Sequence, residues 1–212
     1  VMEGMKQQNA EIDAIVQNPE APTFENTIEA YEASGELLER VSSVFGNLMS
    51  AETNDEMQAL ARKLMPLMTE HGNNISLNER LFARIKQVYH ETKQGALSQE
   101  DYMLLQNTYN SFIRNGANLT LEQKKRFRQL SAELSVLTLK FSQNNLKETN
   151  RYELLLTPEQ TDGLPTSALD AYAQAAKDKN QEGYLVTLQA PSFAPFMKYS
   201  SHRELRKQLY MA

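Results

Sequence analysis

The chain has 212 residues, of which 41% are hydrophobic, so it is long enough for one sizeable core or two small domains. Its 27 acidic and 22 basic residues give a formal net charge of −5, which disfavours nucleic acid or an anionic membrane as the main partner. It contains no cysteine, which excludes disulfides and thiolate metal sites, and no apolar run approaches the roughly 20 residues of a membrane span. These features predict a protein that is not membrane-embedded, and they leave its compartment, cytoplasmic or periplasmic, undetermined.

The first part of the chain shows helical hydrophobic spacing. A first helix, with Met2, Met5 and Ile12 on one face, is predicted to end at Asn18-Pro19, because proline disfavours helix in the residue before it. Thr23 is predicted to cap a second, long helix. Its apolar residues keep helical spacing: Phe24, Ile28, Tyr31, Leu38, Val41, Phe45 and Leu48.

Three further helices are predicted before residue 118. A capping box at residues 53–56 opens the first, which Pro66 is expected to kink, and residues 72–74 (Gly-Asn-Asn) are predicted to form a turn after it. Apolar spacing over residues 77–88 predicts the next helix. Residues 98–116 predict the third, which begins at a serine cap and ends at Asn115-Gly116.

Residues 118–149 predict the long central helix of the protein. Thr120 and Gln123 have the spacing of a capping box. Two adjacent rows of apolar residues follow, and a sector that wide is typical of a helix packed against two neighbours. The rows consist of Phe127, Leu130, Leu134, Leu137 and Phe141, and of Ala132, Val136, Leu139 and Leu146.

The pattern changes after Asn150. Residues 152–156 and 184–188 read as short strands that are expected to pair antiparallel, and the alanine-rich residues 166–179 between them predict a helix. Pro191 and Pro195 are predicted to bracket a turn before a last helix over residues 199–212.

The predicted fold class is therefore mainly α. We expect an antiparallel multi-helix body with a long central helix, plus a small two-stranded β element in the C-terminal third. The predicted domains are an all-helical lobe at residues 1–150 and a strand-helix-strand segment at residues 151–212 that leads into a helix. Both termini lie within helical patterns that lack capping or stop residues, which favours an excerpt from a longer protein.

Histidines give no metal site by their spacing. His71, His90 and His202 lie on three different segments. The stretch His90-Glu91-Thr92-Lys93-Gln94 begins like the His-Glu-x-x-His helix of zinc peptidases, in which two imidazoles one turn apart bind the metal. Gln94 stands where the second ligand must be, so no catalytic, cofactor-binding or metal-binding residue is predicted in this chain.

Two charged clusters are interpreted as solvated surfaces. The carboxylate row could bind a metal only with a histidine partner on a helix, which it lacks. It consists of Glu25, Glu29, Glu32, Glu36 and Glu39. The basic cluster Lys124, Lys125, Arg126 and Arg128 could contact phosphate, but an exposed face that pairs with acidic neighbours is favoured.

Several phrases, in order along the whole chain, are similar to one known family. They are NPEAPTFENT at 18–27, ISLN at 75–78 followed by LF at 81–82, FIRNGA at 112–117, FSQNN at 141–145, GLP at 163–165, GYLVTL at 183–188, APS at 190–192 and RELR at 203–206. They resemble the N-terminal part of the thimet-oligopeptidase-like zinc metallopeptidases, and most of all the bacterial peptidyl-dipeptidase type.

The resemblance implies the wall of a peptide channel in a two-lobed enzyme. In that family a His-Glu-x-x-His helix and a later glutamate hold zinc in the C-terminal half, which is absent here, so no ligand is carried over to this chain. The implied whole enzyme uses zinc to remove C-terminal dipeptides from short peptides, and this fragment alone is expected to be inactive and to bind no cofactor. The implied partners are short peptides and the missing catalytic lobe, into which the last helix would continue.

Other interpretations stay open at this point. An oligopeptidase of the same family would cleave short peptides internally instead of releasing dipeptides. A separate class is a non-catalytic helical module that binds a protein or peptide through its apolar stripes. A nucleic-acid binder could depend only on the basic cluster, and the acidic net charge argues against it. The protein is expected to be a monomer.

Overall fold

A computed structural model describes residues 1–93 and 95–212 of the chain. The residues divide into two compact units, Val1–Leu139 and Lys140–Ala212. This division falls inside one long helix, 11 residues before the predicted domain boundary at 150, and the assignment of separate domains at residues 1–150 and 151–212 stays a prediction.

Unit 1 begins with α1 (Met2–Gln17), as predicted. The segment after Thr23 is not one long helix: a π-helical turn (Phe24–Glu29) runs into the short α2 (Ala30–Glu32), and α3 (Glu36–Ala51) starts after a break. The break is at Gly35, whose φ of 82° lies in the left-handed region that glycine favours. The Gly35 N–H donates to Glu11 Oε2 of α1 at 2.7 Å, so the turn is also fixed from outside.

The next helix, α4 (Asp55–Ser76), differs from its prediction in two places. Its N-cap is Asn54, whose Oδ1 accepts from the Met57 N–H at 2.9 Å, and not Thr53. Residues 72–74 form no turn, because the helix continues through them to bury Ile75 in the core. Pro66 lies within the helix, as expected.

Three more helices follow in the order predicted: α5 (Glu79–Glu91), α6 (Gln99–Arg114) and α7 (Leu121–Arg151). Ser98 caps α6, and Asn115 and Gly116 end it, with Gly116 at a φ of 92°. The predicted capping box of α7 is present: the Thr120 N–H donates to Gln123 Oε1 at 3.0 Å, and the Gln123 N–H donates to Thr120 Oγ1 at 3.3 Å.

The core of unit 1 is formed by α1, the π-helical turn, α5 and α6. Four of its apolar residues, Ile28, Leu81, Ile85 and Leu105, are fully enclosed. The rings of Tyr31 and Phe112 meet edge to face with 5.3 Å between their centroids. The buried residues of this cluster are Ile12, Ile15, Phe24, Ile28, Ile75, Leu81, Phe82, Ile85, Val88, Leu105, Phe112 and Ala117.

The long helix α7 contributes little to this core. Its predicted packing on two sides is wrong for the described residues, since Leu130, Leu134 and Phe141 are 48%, 64% and 74% exposed. Its one fully buried residue in the part of the chain that the structure describes is Lys124. The length of the helix is as predicted, but its apolar rows are not covered.

Unit 2 contains the predicted β element. Strands β1 (Glu153–Leu156) and β2 (Tyr184–Thr187) pair antiparallel, with Leu154 opposite Val186. Helix α8 (Thr166–Asp178) packs against β2. The predicted turn at Pro191 and Pro195 is wrong, because both prolines lie in α9 (Ala190–Tyr199), where Pro191 occupies the first turn and gives up only an N–H that has no partner there.

Helix α10 (Arg203–Tyr210) completes unit 2, in place of one helix predicted over residues 199–212. Tyr172 is buried and its hydroxyl donates to the Ser192 carbonyl oxygen at 2.7 Å, which joins α8 to α9. The core of the unit consists of Leu154, Leu156, Leu164, Ala168, Tyr172, Val186, Phe196 and Leu209. None of the described helices combines the length and apolar character that crossing a bilayer requires.

Candidate functional site

A buried polar cluster of unit 1 surrounds His71 of α4. His71 is 8% exposed and lines a pocket of about 300 Å³ together with Tyr31 and Ser111. Its Nε2 lies 2.7 Å from Oε1 of Gln8 in α1. A glutamine Oε1 only accepts, so Nε2 carries the proton and donates. The Gln8 side chain in turn donates to the Ser34 carbonyl oxygen at 3.5 Å.

This cluster holds three elements together. His71 connects α4 to α1, and Gln8 connects α1 to the break before α3, where the Gly35 N–H donates to Glu11. A hydrogen bond that satisfies a buried imidazole explains the position of His71 without a ligand. The role that these contacts support is structural, because they link α4, α1 and the turn before α3 through hydrogen bonds.

Burial lowers the pKa of His71 below its ordinary value of 6.5. As pH falls below about 6.5, His71 is protonated in the unfolded chain while it remains neutral in the folded chain. The unfolded state then binds more protons, so the free energy of unfolding is expected to fall with falling pH in this window, and to be independent of His71 above it. Urea unfolding of the wild type and of His71→Gln between pH 5 and pH 8 measures this contribution.

The matched control is His90→Gln, since His90 is exposed. We expect His71→Gln to reduce the loss of stability below pH 6.5, and His90→Gln to leave that loss unchanged. Identical pH profiles for the wild type and His71→Gln would contradict the effect.

His90 lies at the end of α5, on an aromatic cluster. Its ring meets the Tyr109 ring edge to face at 5.8 Å, and Tyr109 stacks on Tyr89 at 4.0 Å. Helix α5 ends at Glu91, and the Thr92 backbone is extended, so the helical geometry in which residues four apart share a face stops one residue after His90. Gln94, on which the sequence argument depended, lies outside the described residues.

His202 is the N-cap of α10 in unit 2, where its N–H donates to Ser200 Oγ at 3.2 Å. The three histidines thus belong to three separate elements. Within residues 1–93 and 95–212, no group of three or more histidine, aspartate and glutamate side chains could hold a metal ion. The described residues do not fit the zinc site that the resemblance implies for a whole enzyme.

The basic cluster at the start of α7 is divided: Lys125 and Arg126 are exposed, as predicted, while Lys124 and Arg128 make packing contacts. Lys124 is 7% exposed, and its Nζ lies 2.9 Å from Oε1 of Glu79 in α5. Arg128 donates to Asn74 Oδ1 of α4 at 2.6 Å. These two contacts attach α7 to α4 and α5 within unit 1.

The carboxylate row lies on the surface, since all five of its glutamates are exposed. Within the row, Glu36 pairs with Arg40 four residues later at 3.7 Å. This arrangement is the solvated face that the sequence predicted.

Sequence reasoning missed the partners in these contacts. Gln8 and His71 are 63 positions apart, and Glu79 and Lys124 are 45 positions apart. No local pattern connects residues at such distances in a single sequence. The one available signal was a histidine at helical spacing within an apolar row, which is typical of a buried, hydrogen-bonded imidazole.

Comparison with known proteins relates the chain to peptidases. No protein-family model matches it. It is 35% identical, over 99% of its length, to the dipeptidyl carboxypeptidase of Escherichia coli K12. It is 28% identical over 96% of its length to oligopeptidase A of Salmonella typhimurium, and 25% identical over 91% to a thimet-like oligopeptidase of Dictyostelium discoideum.

The chain spans only 31%, 30% and 28% of the lengths of these three relatives. The resemblance drawn from the sequence phrases is confirmed, because peptidases of the dipeptidyl carboxypeptidase and oligopeptidase A types align with 99% and 96% of the length of the chain. Its similarity is therefore to a part, about one third, of such a peptidase.

Proposed function

We propose that this chain is the N-terminal channel-wall lobe of a longer zinc-dependent peptidyl-dipeptidase, which removes C-terminal dipeptides from short peptides. The observation that carries the proposal is the match of 99% of the chain to 31% of a dipeptidyl carboxypeptidase.

The lobe itself is proposed to be non-catalytic. In support, no cluster of histidine and carboxylate side chains suited to a metal occurs within residues 1–93 and 95–212. The zinc and the residues that hydrolyse the peptide bond would belong to the two thirds of the relatives that this chain does not span. The partners of the lobe would then be that remaining polypeptide and the peptide in the channel.

Internal cleavage is the alternative within the same group of peptidases, and the names of several relatives favour it, since they are called oligopeptidase A. The two activities differ in what they require of the substrate. A peptidyl-dipeptidase measures two residues from a free C-terminal carboxylate, which charge-assisted hydrogen bonds recognise. An enzyme that cuts internally has no such requirement.

The test compares an N-acetylated hexapeptide with its C-terminally amidated form, incubated with the full-length protein. We expect dipeptides to be released in succession from the free acid and cleavage of the amide to be strongly slowed. The 212-residue chain, the control, is expected to cleave neither peptide. Mass spectrometry of the products reads both results.

If the acid and the amide are cleaved equally and at internal bonds, the activity is that of an oligopeptidase and the proposed peptidyl-dipeptidase activity is rejected. Chelator-sensitive cleavage by the 212-residue chain alone would contradict the non-catalytic lobe. No cleavage by the full-length protein would favour a helical interaction module over both enzymes.

A further inference from the structure

One side of α7 in unit 1 carries large aliphatic residues in water. Leu130, Leu134 and Leu137 are 48%, 64% and 54% exposed, and we refer to these three residues as the α7 stripe. Between Leu130 and Leu139 the helix has a single charged residue, Glu133. An exposed surface of this composition is typical of an interaction site, because folded proteins rarely leave contiguous apolar patches in solvent.

The α7 stripe faces away from the contacts that attach α7 to its own unit. Successive residues of an α-helix are separated by about 100° around the axis. The middle of the α7 stripe therefore lies more than a quarter-turn around the axis from both Lys124 and Arg128, which contact α5 and α4. The helices that already hold α7 thus leave this side of it open.

Two other helices of unit 1 also expose apolar side chains. In α3, Val44 and Leu48 are 57% and 47% exposed, and in α4, Leu60 and Leu67 are 45% and 42% exposed. The apolar surface left open by unit 1 is thus spread over three long helices. Its extent is more than scattered surface residues require.

The spacing within the α7 stripe indicates what covers it. The residues are separated by four and then three positions, which gives the narrow seam that one partner helix fills with its own side chains. This chain spans only 31% of the dipeptidyl carboxypeptidase that it matches, so under the proposed function the remaining two thirds of the polypeptide would supply such a helix.

Resting on the proposed function, we propose that the α7 stripe is the docking surface for a helix from the remaining two thirds of the full-length protein. The docked helix presents apolar side chains at the same alternating spacing of three and four residues. Unit 1 is then joined to the rest of the protein through a seam of aliphatic contacts along α7, in addition to the covalent chain.

Thiol labelling tests this proposal, because the 212 residues contain no cysteine. Leu134→Cys, Leu137→Cys and the control Lys125→Cys are made in the full-length protein, and the parent protein gives the background from any thiol elsewhere. Lys125 is exposed and lies at least about 120° around the helix axis from each residue of the α7 stripe. The rate of reaction with a maleimide is measured under native conditions, and normalised to the rate in denaturant.

We expect the thiols of Leu134→Cys and Leu137→Cys to react at least about tenfold more slowly than that of Lys125→Cys, because a covered thiol reacts only when the structure opens. Equal native rates for all three variants would overturn the proposal. Protection seen already in the 212-residue chain and lost on dilution would also overturn it, since a second copy would then cover the stripe.

The peptidase assay on the same full-length variants separates this proposal from the proposed function. If the thiols are protected but the protein cleaves no peptide, the docking proposal is supported and the proposed peptidase function is rejected. Freely reactive thiols in an active peptidase would reject the docking surface alone.

Discussion

Gly163→Ala is expected to destabilise unit 2 by at least about 3 kcal/mol, a cost that combines backbone strain with a steric clash. Gly163 has a φ of 84°, in the region that residues with a Cβ disfavour. A Cβ at this position would lie 2.3 Å from the Tyr199 carbonyl oxygen and 2.7 Å from Ser201 Oγ. The backbone cannot withdraw easily, because the Ser201 N–H donates to the neighbouring Asp162 carbonyl oxygen at 2.9 Å.

The matched control is Gly46→Ala in α3. No atom lies within 4 Å of a Cβ built on Gly46, and the position is in the interior of an α-helix. Alanine is favoured over glycine there by roughly 1 kcal/mol, so this variant is expected to be slightly more stable than the wild type. The two substitutions are expected to change stability in opposite directions. This difference separates the effect of the local geometry at Gly163 from any general effect of adding a methyl group.

Gly163→Asn separates strain from clash. Asparagine tolerates a positive φ better than alanine does, but it still has a Cβ. We expect Gly163→Asn to remain destabilised, because the close approach of the Tyr199 carbonyl persists. Unfolding in urea, with hydrogen exchange of the unit 2 amides as the local readout, measures each change. A Gly163→Asn protein as stable as the wild type would contradict the clash.

Features set by neighbours in the sequence were predicted well. The α7 capping box requires only Thr120 and Gln123, three residues apart. The two strands were located by their composition and alternation, and their antiparallel pairing follows from a hydrophobic face on each. In these places the local physics and the fold agree, which is why the sequence alone predicts them.

Features set by distant contacts were predicted poorly. Residues 72–74 have the composition of a turn, yet burial of His71 and Ile75 on either side keeps them helical. The cost of these residues in a helix, about 1 kcal/mol for the glycine and up to about 0.7 kcal/mol for each asparagine, is offset by that burial. The candidate sites follow the same rule, because the roles of His71 and Lys124 are decided by Gln8 and Glu79, which lie far away in the sequence.

The α7 stripe shows the limit of hydrophobic periodicity. The pattern correctly predicts a helix that has apolar sides, but it does not state what covers them. The sequence argument assigned those sides to neighbours within the chain, and Leu134 and Phe141 are instead exposed. Hydrophobic periodicity shows which side of a helix is apolar. Only the structure of all the packed elements shows whether that side is buried.

Large aliphatic side chains at two positions of unit 1 are therefore expected to contribute very differently to the free energy of unfolding. Ile85 of α5 is fully enclosed, so Ile85→Ala is expected to lower the free energy of unfolding by about 2–5 kcal/mol, through lost burial and the cavity left behind. Leu134 is 64% exposed in this chain, so Leu134→Ala is expected to change stability by less than about 0.5 kcal/mol. Lys86→Ala, next to Ile85 on the exposed side of α5, is the control for helix propensity.

Urea unfolding of the 212-residue chain, with hydrogen exchange of α5 and α6 as the readout for unit 1, measures the three variants. A loss for Leu134→Ala as large as that for Ile85→Ala would mean that α7 is already covered in this chain, against the exposure of its stripe. In the full-length protein the expectation for Leu134 reverses, because a docked helix would bury it and the alanine variant would then cost about 2–5 kcal/mol there. The loss of stability caused by Leu134→Ala is thus compared between the 212-residue chain and the full-length protein. The difference between the two losses measures how much docking of α7 contributes to the free energy of unfolding.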